Sequence, residues 1–307
     1  MTAPAIETEA LTRDYGPVRA LDHLNLRVER GEIFGFLGPN GAGKTTTIRI
    51  LLDLIRPTAG RASILGFDCQ GQSLAVRGRS GYLPGELHLY EGMTGRTFLD
   101  LFASLRPGQV DPAYRRKLVQ QLDLDLSKDV RAYSKGNRQK LCLTQALMHQ
   151  PEVLILDEPT SGLDPLVQQE VWTILKEVVS GGRTVFFSSH VLSEVERICH
   201  RVGIIRAGRL VAIEEIAKLK GKSLHIIEVT FAEPVPDDAF AVPGIDIARL
   251  DDNTVRVQVR GHLDDVIKAI ARYPVVTLRT EQPSLEEVFL AYYEEEAQGK
   301  EVERVPA

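Results

Sequence analysis

Apolar positions in the first two-thirds of the chain follow two rhythms that take turns. "EIFGFLG" at 32–38, "VLILD" at 153–157 and "RTVFFSSH" at 183–190 are short apolar runs, rich in β-branched or aromatic residues and bounded by turn formers, and they predict buried strands. "GKTTTIRILLDLI" at 43–55 instead places Ile48, Leu51, Leu52 and Ile55 at helical spacing, with Pro57 and the turn "RPTAG" expected to end the helix. "PLVQQEVWTILKEVV" at 165–179 sets Val167, Val171, Ile174, Leu175 and Val178 on one face, behind a proline suited to a first helical position. Strand–helix–strand alternation predicts an α/β fold, a parallel sheet covered by helices.

The rhythm changes twice. From about 85 to 150, "TFLDLFASL", "AYRRKLVQQLDL" and "NRQKLCLTQALMHQ" are helical with few strand signals between them, as expected of an inserted helical subdomain. After about 220, "LHIIEVTF" reads as a strand, and "IDIARLDDNTVRVQVRG" as a hairpin turning at Asp251, Asp252 and Asn253. "HLDDVIKAIARYP" reads as a helix, "VVTLRT" as a strand, and "SLEEVFLAYYEEE" as a helix opened by a capping box, Ser284 with Glu287. We therefore expect one domain over 1–220 and a small α+β domain over 221–307.

Composition narrows the class. At 307 residues, 43% hydrophobic and 26% charged, the chain can bury a large core and a smaller second one. A net charge of −5 gives nucleic acid no electrostatic footprint. Cys69, Cys142 and Cys199 have no CxxC spacing, so neither a metal site nor a disulfide framework is expected. The N-terminus lacks the basic end and apolar run of a signal peptide, and no stretch approaches the ~18–20 continuous apolar residues of a membrane helix. Work at a membrane would need another chain to supply the span.

Two motifs carry chemistry. "GPNGAGKTT" at 38–46 fits G-x-x-x-x-G-K-[ST] between a predicted strand and a predicted helix. Backbone N–H groups of Gly38, Pro39, Asn40, Gly41, Ala42, Gly43 and Thr46 (the proline excepted) can turn around phosphate oxygens at a helix N-terminus. Lys44 can reach the β- and γ-phosphates, and Thr45 can place its hydroxyl on Mg²⁺. "VLILDEPTSGLDP" at 153–165 is an apolar strand ending in two acids. Asp157 is placed to hold Mg²⁺ through water, and Glu158 to polarise an attacking water as general base. Adjacent acids are more often a solvated turn, but here the strand aims them at the edge where open α/β sheets bind ligands.

Together these residues resemble the ATP-binding subunits of ABC transporters, over about residues 5–220. "GPNGAGKTT" looks like their Walker A motif, "LILDEPTSGLDP" like Walker B with the D-loop, and "YSKGNRQKL" at 133–141 is similar to the signature. His190 matches the switch histidine, and Tyr15 the aromatic that stacks on adenine. The resemblance implies a P-loop NTPase core with an N-terminal antiparallel β-subdomain. It also implies two subunits, here a homodimer, closing head to tail around two ATP molecules, with Asp164 contacting the partner. Ser134 and the Gly136 amide open a helix and can donate to a γ-phosphate across that interface. Read alone, His190 could hydrogen-bond a γ-phosphate or simply cap a strand, and a lone histidine is usually the latter.

Three positions depart from the family pattern. Lys135 stands for the first signature glycine and Asn137 for its glutamine. Gly85, after "GYLP", stands for the Q-loop glutamine. Glu86, one residue on, either takes over that glutamine's work near Mg²⁺ or is a solvated loop acid. Leu87, Leu89, Tyr90 and Met93 follow, where family members receive a membrane partner, or they face their own core. The family implies an ATPase energising an integral membrane permease, peripheral on the cytoplasmic face of the membrane. The C-terminal α+β domain resembles that of drug- and sodium-exporter subunits and favours export. The alternative is a soluble ABC-type ATPase acting on ribosomes or DNA. A single cradle, the lack of heptads or cysteine pairs, and the acidic balance disfavour it.

Overall fold

Strands β1 (Ile6–Tyr15) and β2 (Val18–Val28) open the chain as an antiparallel hairpin. Gly16, at φ 58°, and Pro17 form its two-residue connection. After β3 (Ile33–Leu37), helix α1 (Lys44–Leu51), β4 (Ala59–Ile64) and the short β5 (Phe67–Asp68), the first sheet is complete in the order β2-β1-β4-β5. This is the antiparallel subdomain that the resemblance implies. The structure is a computed structural model and describes residues 3–87, 89–90, 92–106, 110–221, 225–236, 245–259 and 263–281. It divides into two units, Met1–Glu215 and Ile216–Ala307.

Helix α2 (Ser73–Arg79) leads into β6 (Ser80–Leu83). Three helices follow: α3 (Gly95–Ser104), α4 (Pro112–Gln121) and α5 (Lys135–Leu147). Each starts on a side-chain cap: Thr94 accepts from the Thr97 amide, Asp111 from Ala113, and Ser134 from Asn137. The chain then returns to the sheet through β7 (Val153–Asp157), α6 (Pro165–Ser180), β8 (Thr184–Ser189), α7 (Leu192–Ile198), β9 (Arg201–Arg206) and β10 (Arg209–Glu215). The central sheet runs β10-β9-β3-β8-β7-β6, parallel except for β10 at its edge.

Strands β3, β7 and β8 are buried at every residue, as a parallel sheet covered on both faces requires. Phe186 stacks on Phe34 at 6.0 Å and tilts against Phe36 at 5.3 Å in the core. Because β3, β6, β7 and β8 are parallel, their C-terminal ends share one sheet edge, and every motif residue at a strand end is delivered there.

Helix α1 is shorter than its apolar spacing predicts: it stops at Leu51, before Ile55 and well before Pro57. Asp53 takes the left-handed conformation at φ 53°. Its amide donates to Ile50 O at 3.0 Å and the Leu54 amide to Arg49 O at 2.8 Å, a Schellman closure that satisfies the last carbonyls.

The second unit holds α8 (Ile216–Gly221), β11 (His225–Phe231), β12 (Ile245–Arg249), β13 (Thr254–Val259), α9 (Leu263–Ile270) and β14 (Val275–Glu281). Its antiparallel sheet runs β12-β13-β11-β14, and β12 and β13 form the expected hairpin. The expected capping box at Ser284 and Glu287 lies outside the described residues.

Candidate nucleotide and hydrolysis site

The loop from β3 to α1 is built for an anion. Gly41 and Gly43 have φ of 81° and 112°, which side-chain-bearing residues rarely adopt. Gly43 is the N-cap of α1, so the helix N-terminus opens beside the loop. Pro39 O accepts from the Ala42 amide at 3.2 Å, which curls the segment. The buried Lys44 ammonium donates to Gly38 O at 2.6 Å and Pro39 O at 3.1 Å, so its chain folds back along the loop. Burial lowers its pKa, while the charges of Glu158 and Asp157 oppose that shift. A polyanion in the loop would stabilise the cation further.

Strand β7 delivers the acids. Asp157 Oδ2 accepts from Thr45 Oγ1 at 2.8 Å and Oδ1 from Ser188 Oγ at 2.5 Å. Thr45 and Asp157, 112 residues apart, thus present adjacent oxygen ligands, the donor chemistry a hard divalent cation takes. Ser188 is a site residue that motif reading missed; its only signal was its place in the serine pair before His190. Burial pushes the neighbouring Tyr82 hydroxyl up to about 12, with the Asp157 charge adding to the effect.

Glu158 sits at φ 51°, an unusual conformation for a residue with a side chain. Its amide donates to Ser188 O at 3.2 Å and to Ser188 Oγ at 3.3 Å. Its carboxylate meets His190 Nδ1 at 2.9 Å. A carboxylate only accepts, so Nδ1 carries the hydrogen and Nε2 is left to face outward chemistry. Glu158 and His190, 32 residues apart, are therefore one pair.

Gly85 follows β6 at the same sheet edge. A Cβ there would lie 3.5 Å from the Asp157 carboxylate, so position 85 aims at Asp157. Glu86 is exposed and makes no hydrogen bond or ion pair among the described residues. Tyr90 is exposed, Leu87, Leu89 and Met93 are half-buried, and His88 lies outside the described residues.

The signature residues stand against the D-loop of their own chain. A Cβ on Gly136 would lie 3.6 Å from Leu163 Cδ2, and Lys135 runs along Gly162. Ser134 caps α5 by accepting from the Asn137 amide at 3.2 Å. Asp164 caps α6, accepting from Leu166 and Val167 at 3.1 Å. Tyr15, at the end of β1, is 42% exposed, with the Arg13 guanidinium 4.6 Å from its ring centroid.

Residues 21–161 match the family described as ABC transporter. The chain is 41% identical over 227 residues to the daunorubicin resistance ATP-binding protein DrrA3 of Streptomyces coeruleorubidus, covering 73% of this chain and 72% of that one. It is 34% identical over 307 residues to the daunorubicin resistance ATP-binding protein DrrA2 of the same organism, covering 94% and 95%. A solved structure of the ATP binding subunit of an ABC transporter is similar at a TM-score of 0.65 and 30% identity, over 71% of this chain and 92% of that one.

Proposed function

The chain belongs to the ATP-binding proteins of ABC transporters, an ATPase family, and from that premise we propose that it powers export of a drug through a separate integral membrane permease. Two copies close around two ATP molecules. The daunorubicin resistance relatives favour a drug as cargo, and the likeness to DrrA2 extends over nearly the whole chain. No helix among the described residues is long and apolar enough to cross a membrane, so the permease supplies the span and holds this subunit at the cytoplasmic face. The relatives do not favour the soluble alternative on ribosomes or DNA.

The observation that carries the proposal is the convergence of Lys44, Thr45, Asp157, Glu158 and His190 at one sheet edge. Loop amides from Gly38 to Thr46 and the Lys44 ammonium hold the phosphates, and the exposed Tyr15 ring receives adenine. Thr45 and Asp157 hold Mg²⁺, which when bound neutralises charge on the phosphate oxygens. Glu158 accepts the proton of the attacking water. His190, fixed by Glu158 through Nδ1, can donate to the γ-phosphate from Nε2 only when that nitrogen is also protonated. Ser134, Gly136 and Asn137 of one subunit complete the site of the other, and Asp164 lies at the same interface.

Replacing the base tests the assignment. Glu158→Gln is expected to bind ATP, accumulate as a nucleotide-bound dimer on gel filtration and lose turnover by about 10²-fold or more. Wild-type turnover in that variant would overturn the role of Glu158. Tagged protein from detergent-solubilised membranes is expected to carry an integral membrane protein with it. Recovery with ribosomes instead would support the soluble alternative.

A further inference from the structure

Glu194, in the first turn of α7, bonds to both loops that carry the catalytic pair. Its Oε1 accepts from Thr160 Oγ1 at 2.6 Å and its Oε2 from Ser189 Oγ at 2.8 Å. Thr160 is two residues beyond Glu158, and Ser189 immediately precedes His190. A closed ring results: Glu158, Pro159, Thr160, across to Glu194, across to Ser189, then His190, and back to Glu158 at 2.9 Å. Ser189 Oγ is itself held, because it accepts from the Val191 amide at 2.9 Å.

We infer that Glu194 is a positioning residue for ATP hydrolysis, which clamps the segment after the general base to the segment before the switch histidine. The inference rests on the proposed roles of Glu158 and His190. Three features of the site make such a clamp necessary. Glu158 occupies a left-handed conformation that persists only when its surroundings over-determine it. The Glu158–His190 contact joins two loops, and His190 is exposed, so its own packing does not fix the distance. Beyond Thr160 the chain runs to the D-loop Asp164, so a movement there would be felt at Ser189 through the same carboxylate. Glu194 touches neither Glu158 nor His190 by any hydrogen bond, which is why its role is positional.

Steady-state ATP hydrolysis by the full chain, with its membrane partner where that is required, tests this. Glu194→Ala is expected to lower kcat about tenfold while KM for ATP stays within about twofold, because only the reacting geometry is loosened. Glu194→Gln is expected to recover most of the rate. Its Oε1 still accepts from Thr160, and its amide can donate to Ser189 Oγ, whose proton then turns toward Val191 O at 3.4 Å. Thr160→Val removes one bond at nearly constant shape and carries the same test if Glu194→Ala folds poorly. In the pair Glu194→Ala with Thr160→Val the losses should not add, since both open one ring.

Unchanged kcat in Glu194→Ala and Thr160→Val would overturn the inference. So would Gln behaving like Ala, or additive losses in the double variant. A wild-type chain without ATP turnover would instead sink the proposed function. Normal turnover in the wild type together with an indifferent Glu194→Ala sinks this inference alone.

Discussion

Gly85 shows how much one missing side chain can say. The Cβ direction at this position points at Asp157 from 3.5 Å, whereas the neighbouring Glu86 carboxylate faces solvent. A third carboxylate beside Asp157 and Glu158 would also add like charge to a site that is already anionic. We therefore expect Glu86→Ala to hydrolyse ATP within about twofold of wild type, as surface substitutions away from a site do. A tenfold loss in a coupled ATPase assay would mean that nucleotide binding swings Glu86 inward. The phosphate loop could be read from the chain because its chemistry is local: glycines, a lysine and a threonine at fixed spacing before a helix. Ser188 and Glu194 could not. Ser188 reaches Asp157 from 31 residues away and Glu194 reaches Thr160 from 34, and nothing in the spacing of a serine or a glutamate announces such a bond.

At the scale of elements, β7 and β8 are legible because strands covered on both faces carry an unbroken apolar run, Val153–Leu156 in one and Val185–Phe187 in the other. Strand β1 is harder to read: its register shifts between Thr8 and Leu11 and again before Arg13, which breaks the period-two pattern. Helix α1 shows the same difficulty from the other side, since Pro57 is a visible stop whereas the stop at Asp53 depends on one left-handed residue. The junction of α5 with β6 carries a consequence for pH. His149, buried just beyond α5, bonds through Nε2 to Ser80 O at 3.1 Å. Burial, helped by the nearby Arg106 charge, lowers its pKa from 6.5 to about 4. Between those values the unfolded chain binds a proton that the folded chain does not, so stability falls as pH drops through the window and is untouched above it. The loss should reach at most about 3 kcal/mol near pH 4. His149→Gln, which keeps a donor for Ser80 O and cannot titrate, should flatten that part of the urea-midpoint profile between pH 6.5 and 4. An unchanged slope in the variant would place the acid sensitivity elsewhere.

For the whole molecule, the decisive fact is that two of the buried apolar clusters among the described residues each lie within a single unit. One draws on side chains from Ala5 to Ile213, the other on side chains from Ile227 to Tyr273. The division falls after Glu215, where β10 ends, so a chain stopped there leaves the central sheet with all six of its strands. Every residue assigned to nucleotide also precedes that point, the last being His190. A chain of residues 1–215 should therefore fold in one cooperative transition and bind MgATP. At a nucleotide concentration about 100 times Kd, binding adds about 2.7 kcal/mol, and a domain of this size gains roughly 2–4 °C in Tm per kcal/mol. A thermal shift of roughly 5–10 °C is thus expected, and Lys44→Ala should abolish most of it. Aggregation of the truncated chain would show that the second unit is needed to complete the first. A folded chain with no nucleotide shift would move part of the binding site beyond residue 215. If the shift survives truncation, the second unit is free to serve what the nucleotide site does not need, such as control of when ATP is turned over.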